Sequence, residues 1–142
     1  MDFAIAVDVN APPDVVWSVM RDGERWPEWT PSVTSVEILT PGPLAVGSRA
    51  RIRQPRFPPA MWTVTEVQDR SFTWVSRSPG VLVTARHWVE PAALGARAHL
   101  SLNFAGLFGP LLGWLTRNIN QRYLSLEAAG LKKRSEELAA WR

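Results

Sequence analysis

The sequence contains no cysteine and only two histidines, His87 and His99. The absence of cysteine excludes a disulfide framework, thiolate metal sites and a cysteine nucleophile. Two histidines without a carboxylate at ligand spacing do not make a metal site, and no phosphate-binding glycine loop, nucleophile elbow or carboxylate pair is recognisable. We therefore predict no metal and no cofactor, and the sequence gives no support for nucleotide binding, phosphoryl transfer or serine hydrolysis.

Long apolar runs are also missing. The longest uncharged apolar stretch, residues 104–116, is interrupted by three glycines and one proline, whereas a membrane-spanning helix needs about 20 apolar residues. Residues 1–4 carry an early acid and lack the basic start of a secretory signal. We therefore expect no transmembrane helix and a cytoplasmic location.

The charge balance is nearly even, with 16 bases against 13 acids and a formal net charge of +3. This excess is too small to predict a nucleic-acid partner, which would require a clustered basic face. The length of 142 residues is close to the commonest domain size, and no repeat or linker divides the chain. We expect one domain over residues 1–142.

What the chain does contain is a succession of β-strand signals separated by turns. A first strand is followed by two short helices, the first after two prolines and the second ending before Pro27. Six further strands then follow one another, which predicts an antiparallel meander. The predicted strands span residues 3–9, 33–40, 46–54, 61–69, 71–78, 81–90 and 96–104.

Helical periodicity begins after Gly109 and Pro110. Apolar residues recur every three or four positions and predict one amphipathic helix from about Pro110 to Ala140. Its buried stripe would consist of Leu112, Leu115, Ile119, Tyr123 and Leu126. An α+β fold results, in which this helix must cover one face of the sheet.

Four short motifs carry a family resemblance that extends over nearly the whole chain. They are ERWPEWTP at residues 24–31, VGS at 46–48, WTVTEV at 62–67 and HWVEP at 87–91. The sequence resembles the polyketide cyclase/dehydrase-type branch of the START-like (SRPBCC) superfamily. The resemblance implies a helix-grip fold, with a curved antiparallel sheet of about seven strands around a long C-terminal helix. It also implies a ligand carrier, a cyclase or dehydratase acting on a polyketide-like substrate, or a regulatory binding protein.

Strand alternation assigns an inner face to the sheet. Ala98, Leu100, Leu102 and Phe104 share one face, and the arginines at positions 49, 51 and 53 fall on the solvated side. Together with the helix stripe, this predicts a cavity for a small hydrophobic ligand that is lipid-like, aromatic or polyketide-like. The predicted ligand-binding residues are Ile52, Gln54, Trp62, Trp74, Val83, His87, Leu100, Leu102, Leu115, Ile119 and Tyr123.

Few polar groups are predicted to face this cavity. His87 is the histidine on the apolar face, where an imidazole with an ordinary pKa near 6.5 can exchange a proton or serve as a packing residue. Tyr123 offers either a ligand contact from the helix or core packing, and Trp62 and Trp74 form either an aromatic wall or ordinary core. This scarcity favours binding over catalysis. No residue is assigned as catalytic, and a cyclase or dehydratase using His87 is the alternative.

One further hypothesis concerns residues 107–115, which are rich in leucine and aromatics and are followed by Arg117. Apolar segments with aromatics and bases can bind membrane interfaces, so this segment could form a membrane-touching lid for lipid exchange. The alternative is that it simply begins the covering helix.

Overall fold

The computed structural model describes residues 1–141, so Arg142, the last residue of the expected domain, lies outside the described residues. Seven strands, three α-helices and one short 3₁₀ helix follow one another. They are β1 (Asp2–Val9), α1 (Pro13–Arg21), the 3₁₀ helix (Gly23–Glu28), β2 (Ser35–Ile38), β3 (Arg49–Arg53), β4 (Ala60–Gln68), β5 (Ser71–Ser78), β6 (Val81–Ala92), β7 (Gly95–Ala105), α2 (Gly109–Leu115) and α3 (Arg117–Ala140).

All seven strands form one sheet in the order β1-β7-β6-β5-β4-β3-β2, and every neighbouring pair is antiparallel. Strands β2 to β7 therefore form the predicted meander, while β1 joins its far edge by pairing with β7, with Ile5 opposite Leu100. The long helix α3 lies across the inner face. The predicted helix-grip α+β fold is confirmed.

The end of the chain differs from the single helix that we predicted. Helical structure begins at Gly109 but stops at Thr116, and the long helix starts only at Arg117. The Thr116 hydroxyl donates a hydrogen bond of 2.7 Å to the carbonyl of Leu112, a local bond that competes with the regular backbone ladder. Two helices, rather than one, thus follow β7.

This interruption also changes which residues are buried. The helix α2 packs through Gly109 and Gly113, where an added Cβ would lie 3.0–3.2 Å from atoms of Phe104. Leu112 and Leu115 consequently face outward, with Leu115 62% exposed. Because the helix restarts after Thr116, a stripe extrapolated from α2 does not stay on the buried side. The buried residues of α3 are Asn120, Tyr123, Leu124, Ala128, Leu131 and Ser135.

An aromatic cluster joins the short helices to the sheet. The Trp26 ring lies 5.3 Å from that of Trp74 and 5.7 Å from the imidazole of His87, and its indole N–H donates to the carbonyl of Met20 at 3.0 Å. Trp29 reaches α3, since a Cβ added at Gly130 would lie 1.9 Å from the Trp29 carbonyl oxygen. The segment between α1 and β2 is therefore fixed to both layers.

None of the helices within residues 1–141 combines the length and the apolar content that crossing a membrane requires.

Candidate functional site

A cavity of about 60 Å³ lies between the inner face of the sheet and α3. Gln54 and Phe57, two of its partly exposed lining residues, belong to the β3–β4 loop (residues 54–59), so the cavity reaches the surface on that side. Larger hollows of about 170, 370 and 440 Å³ lie elsewhere on the molecule. The cavity is lined by Trp26, Val33, Ile52, Gln54, Phe57, Trp62, Trp74, Ala85, His87, Leu100, Ser101, Leu102, Asn120, Tyr123, Leu124 and Glu127.

Most of the residues predicted to contact a ligand lie in this wall. They are Ile52, Gln54, Trp62, Trp74, His87, Leu100, Leu102 and Tyr123. Their role as ligand contacts stays a prediction.

Three of the predicted residues lie outside the wall. Val83 is inward-facing on β6 but sits opposite Phe104, beyond the end of the cavity. Leu115 belongs to the exposed side of α2, because the glycines of that helix take the packed side. Ile119 is partly exposed, because the restart of the helix brings Asn120 inward instead.

The His87 imidazole is a buried polar group of the wall. Its ring stacks on Phe72 with 4.2 Å between centroids and 5° between planes. Burial lowers its pKa from 6.5 to about 4, an effect that the nearby Phe72 backbone offsets only in part. Its Nδ1 atom is buried and has no hydrogen-bond partner among the residues that the structure describes. The imidazole is therefore neutral at pH 7 and has an unused polar atom at the cavity.

Glu127 is a carboxyl group that the sequence analysis missed. Its Oε1 accepts a hydrogen bond of 3.3 Å from the Ser32 hydroxyl, which in turn lies 2.7 Å from that of Thr30. The residue as a whole is partly exposed, but burial of the carboxyl raises its pKa from 4.5 to about 7, against the opposing effect of the Ser32 hydrogen bond. Protonated and ionised forms are therefore both populated near neutral pH.

A sequence signal for Glu127 was available. Residues four apart share one side of a helix, and Glu127 stands four positions after Tyr123. Our predicted stripe placed Leu126 there instead. Asn120, also in the wall, is three positions before Tyr123.

Tyr123 and Asn120 are already engaged by the protein. The Tyr123 hydroxyl donates to the Pro55 carbonyl, and its ring meets Phe57 edge to face at 5.9 Å. The Asn120 side-chain N–H donates to the Thr116 hydroxyl at 2.9 Å. The Tyr123 contacts hold the β3–β4 loop against the start of α3, at the opening of the cavity.

The second histidine lies outside the cavity. The His99 ring stacks on Trp88 at 4.6 Å, and its Nε2 is 2.9 Å from a Glu90 carboxylate oxygen on the outer face. Within residues 1–141, no three His, Asp or Glu side chains are grouped so that they could hold a metal ion.

The chain matches the family model described as polyketide cyclase/dehydrase and lipid transport over residues 2–136. No curated protein matches it. Among solved structures, it is similar to TTHA0849 from Thermus thermophilus, with 20% identity, a TM-score of 0.77 and 100% of both chains covered.

It is also similar to the Zhui aromatase/cyclase from Streptomyces sp. R1128, with 17% identity, a TM-score of 0.77 and coverage of 96% of this chain and 94% of that one. A START superfamily protein from Mycobacterium smegmatis gives 18% identity, a TM-score of 0.75 and coverage of 96% and 98%. At these identities the structural likeness shows the fold alone. The match over residues 2–136 shows that the chain belongs to the polyketide cyclase/dehydrase and lipid transport family.

Proposed function

We propose that this protein binds, without covalent chemistry, a small hydrophobic ligand that carries at least one hydrogen-bonding group. The observation that supports this proposal is the buried, unpartnered Nδ1 of His87 in an otherwise largely apolar and aromatic cavity wall. A buried polar atom without a partner is costly. A ligand hydroxyl or N–H would supply the missing hydrogen bond, while its apolar body would contact Trp62, Trp74 and Leu100.

The cavity must widen to hold a ring-containing or acyl ligand. Its volume is about 60 Å³, whereas sites for such molecules usually measure about 300–1,000 Å³. The β3–β4 loop is the part of the wall best suited to move, because its prolines and Arg56 are exposed and Tyr123 holds it by one hydrogen bond. Displacing Phe57 together with this loop would enlarge the cavity towards the solvent.

The expected affinity is modest. Burying about 200 Å² of apolar ligand surface at about 25 cal/mol/Å² gives a gross gain of roughly 5 kcal/mol. Loss of ligand freedom and opening of the loop oppose this gain. Selectivity should then depend on shape and on the hydrogen bonds made by His87, Gln54 and Glu127.

A cavity-filling variant tests the proposal with a fluorescent apolar probe, N-phenyl-1-naphthylamine. Ala85→Leu adds bulk inside the wall, while Ala6→Leu makes the same change at an exposed position of β1. We expect the wild type and Ala6→Leu to bind the probe with similar affinity, and Ala85→Leu to bind at least tenfold more weakly while melting cooperatively. Equal binding by all three proteins would refute binding in this cavity.

The selectivity of the site can be tested with the same melting controls. His87→Ala and Tyr123→Phe should change which members of a panel of apolar probes bind more than they change thermal stability. His87→Ala removes the unpaired acceptor or donor, and Tyr123→Phe frees the loop. If both variants bound every probe as the wild type does, these residues would not belong to the site.

Acid–base catalysis is a second candidate function, favoured by Glu127 and His87 in one cavity. Glu127, with a pKa of about 7, can give a proton to a carbonyl oxygen or remove one from the adjacent carbon. A cyclisation of a polyketide-like substrate needs both steps, and a similar structure is described as an aromatase/cyclase.

This second function makes a different prediction for Glu127→Gln. The amide keeps the size of the side chain and can still accept from Ser32, but it cannot transfer a proton. If a poly-β-ketone substrate is cyclised by the wild type, Glu127→Gln should abolish turnover while it retains substrate binding. Turnover that survives in Glu127→Gln would exclude this carboxyl as the catalytic acid or base.

A further inference from the structure

An exposed apolar surface lies at the same end of the sheet as the opening of the cavity. We call it the apolar platform and define it as Leu107, Phe108, Leu111, Leu112, Trp114 and Leu115. All six side chains are exposed, with Leu107 at 83% and Leu115 at 62%. Such a concentration within nine residues is unusual for a surface that contacts only water.

The platform is a consequence of how α2 packs. Gly109 and Gly113, four positions apart, place the α2 backbone close to Phe104, so every large apolar side chain of the helix is left on the other side. Phe108 lies over Gly80 in the β5–β6 turn. The leucines of residues 107–115 therefore do not cover the sheet.

Strand register places basic residues around the platform. The β3–β4 loop, the β5–β6 turn and the end of β7 lie at the same end of the sheet, because Thr63 pairs with Val75 and Leu82 pairs with Ala105. Exposed arginines at this end or in the first turns of α3 include Arg56, Arg77, Arg117 and Arg122.

Acidic groups are scarce at this end. Among the described residues, the strand register places one acid at this end, Asp2 at the start of β1. Its carboxylate accepts a hydrogen bond from the side-chain amide of Asn103. The guanidinium of Arg117 lies 4.6 Å from the centre of the Trp114 ring. An amphipathic aromatic next to a cation is typical of surfaces that lie in the headgroup region of a bilayer.

We propose that the apolar platform docks on the surface of a lipid bilayer that contains anionic lipids. The leucines and Trp114 would insert at the boundary between headgroups and acyl chains, and the four arginines would contact lipid phosphates. The cavity opening, between the β3–β4 loop and Asn120, would then face the membrane. This inference does not depend on the proposed ligand.

The charge distribution favours a bilayer over a second copy of the chain. In a symmetric dimer formed through the platform, the arginines of both copies would be brought together with little acidic compensation, which is unfavourable. An anionic membrane instead complements them. A bilayer also accepts an apolar surface without demanding a matching shape.

Cosedimentation of the full chain with vesicles tests the proposal. Vesicles of phosphatidylcholine alone are compared with vesicles of phosphatidylcholine mixed with phosphatidylglycerol. We expect binding to the mixed vesicles and weaker binding to phosphatidylcholine. Leu111→Ser combined with Leu115→Ser should reduce binding to the mixed vesicles by about tenfold or more, since two inserting side chains are lost. Arg77→Gln and Arg122→Gln should each reduce it by about fivefold.

Matched controls distinguish binding through the platform from nonspecific binding to vesicles. Leu94→Ser removes a leucine that is 50% exposed in the turn between β6 and β7, at the opposite end of the sheet, and should leave vesicle binding unchanged. Arg86→Gln, an exposed arginine within β6, should do the same. In solution, the platform variants should bind N-phenyl-1-naphthylamine as the wild type does, so loss of vesicle binding is distinguishable from failure of the cavity.

Three outcomes would overturn the proposal. The first is a wild type that stays in the supernatant with the mixed vesicles, and the second is a Leu94→Ser variant that loses as much binding as the platform variant. The third is a dimer, seen by light scattering, that the platform variant dissociates without any vesicle binding by the wild type. That result would assign the platform to self-association.

Discussion

The two ends of the sheet differ in how much of their apolar surface is buried. One end is formed by the β1–α1 connection and by the β4–β5 and β6–β7 turns, and we call it the closed end. There, Val9, Val15 and Val16 are almost fully buried. At the other end, which we call the open end, the leucines of α2 are exposed and the β3–β4 loop borders the cavity. Stability is therefore concentrated at the closed end, while the open end has surface left for binding.

Polar contacts follow the same division. At the closed end, Asp8 pairs with Arg97 at 2.8 Å, and Lys132 on α3 donates both to Glu136 at 2.6 Å and to the Asp8 carbonyl at 3.1 Å. The Glu136 carboxylate also accepts from the Asn10 backbone N–H at 2.8 Å, and these bonds lower its pKa. Exposed ion pairs individually contribute little to stability, but these bonds fix the position of α3 relative to β1.

The strongest test of this comparison is the same substitution at the two sites. Leu131→Ala removes a side chain that is 1% exposed on α3, and should cost about 2–5 kcal/mol of unfolding free energy. Leu115→Ala removes one that is 62% exposed on α2, and should change stability by less than about 0.5 kcal/mol. Urea unfolding of both variants checks this. Similar losses for the two would contradict the division.

A pair of glycines sharpens the comparison. Gly130→Ala would place a Cβ 1.9 Å from the Trp29 carbonyl oxygen, and backbone cannot move aside cheaply, so we expect a loss of about 3 kcal/mol. Gly113→Ala on α2 would meet Phe104 and the flexible Met1 side chain at 3.2 Å, and alanine favours the helix, so its net effect should stay within about 1 kcal/mol. Thermal melts distinguish the two, and a neutral Gly130→Ala would show that this contact is loose.

Two titratable side chains in the cavity wall, Glu127 and His87, predict an unusual dependence of stability on pH. Glu127 has its pKa raised from 4.5 to about 7, so over this interval the folded state holds a proton that the unfolded state has released, and stability falls as pH rises. His87 has its pKa lowered from 6.5 to about 4, so stability rises with pH over that interval. In the wild type the two slopes oppose each other between pH 4.5 and 6.5.

Glu127→Gln should remove one of these slopes. The variant's stability should rise with pH up to about 6.5 and then stay level, and above pH 7 the variant should exceed the wild type by about 2 kcal/mol, a value reduced to allow for partial exposure of the residue. Urea unfolding across the pH range measures this. A variant that is destabilised equally at every pH would mean that Glu127 contributes packing rather than a buried charge.

The smallest expected effect concerns the loop at the open end. Tyr123→Phe removes the hydrogen bond to Pro55 and should cost only about 1 kcal/mol. It should also speed the association of N-phenyl-1-naphthylamine, because the β3–β4 loop would open more often. Stopped-flow fluorescence tests this, with the exposed Arg86→Gln as the control. An unchanged association rate would indicate that access does not depend on this loop.

Strand periodicity was sufficient to predict the meander and its inner face, because alternation fixes both register and burial in an antiparallel sheet. The helical region was harder to predict. The leucines of α2 have the spacing of a buried stripe, but two glycines decide which side packs, and the break at Thr116 shifts the stripe that follows. Ile119 and Leu115 were misplaced for this reason.

The polar part of the site escaped prediction for a different reason. Glu127 has the pattern of a surface residue, because glutamate is rarely buried unless it is paired. Its contact with Ser32 joins residues 95 positions apart, which no local pattern reveals. The size of the cavity likewise depends on side-chain packing across the fold.

The most direct test of the central claim is an amide chemical-shift titration of the wild type with N-phenyl-1-naphthylamine. Our account predicts saturable shifts at Gln54, Ala85, His87 and Tyr123, around the cavity and the β3–β4 loop, with little change at the closed end. Saturable shifts confined to residues 107–115, or none at the cavity, would contradict ligand binding between the sheet and α3.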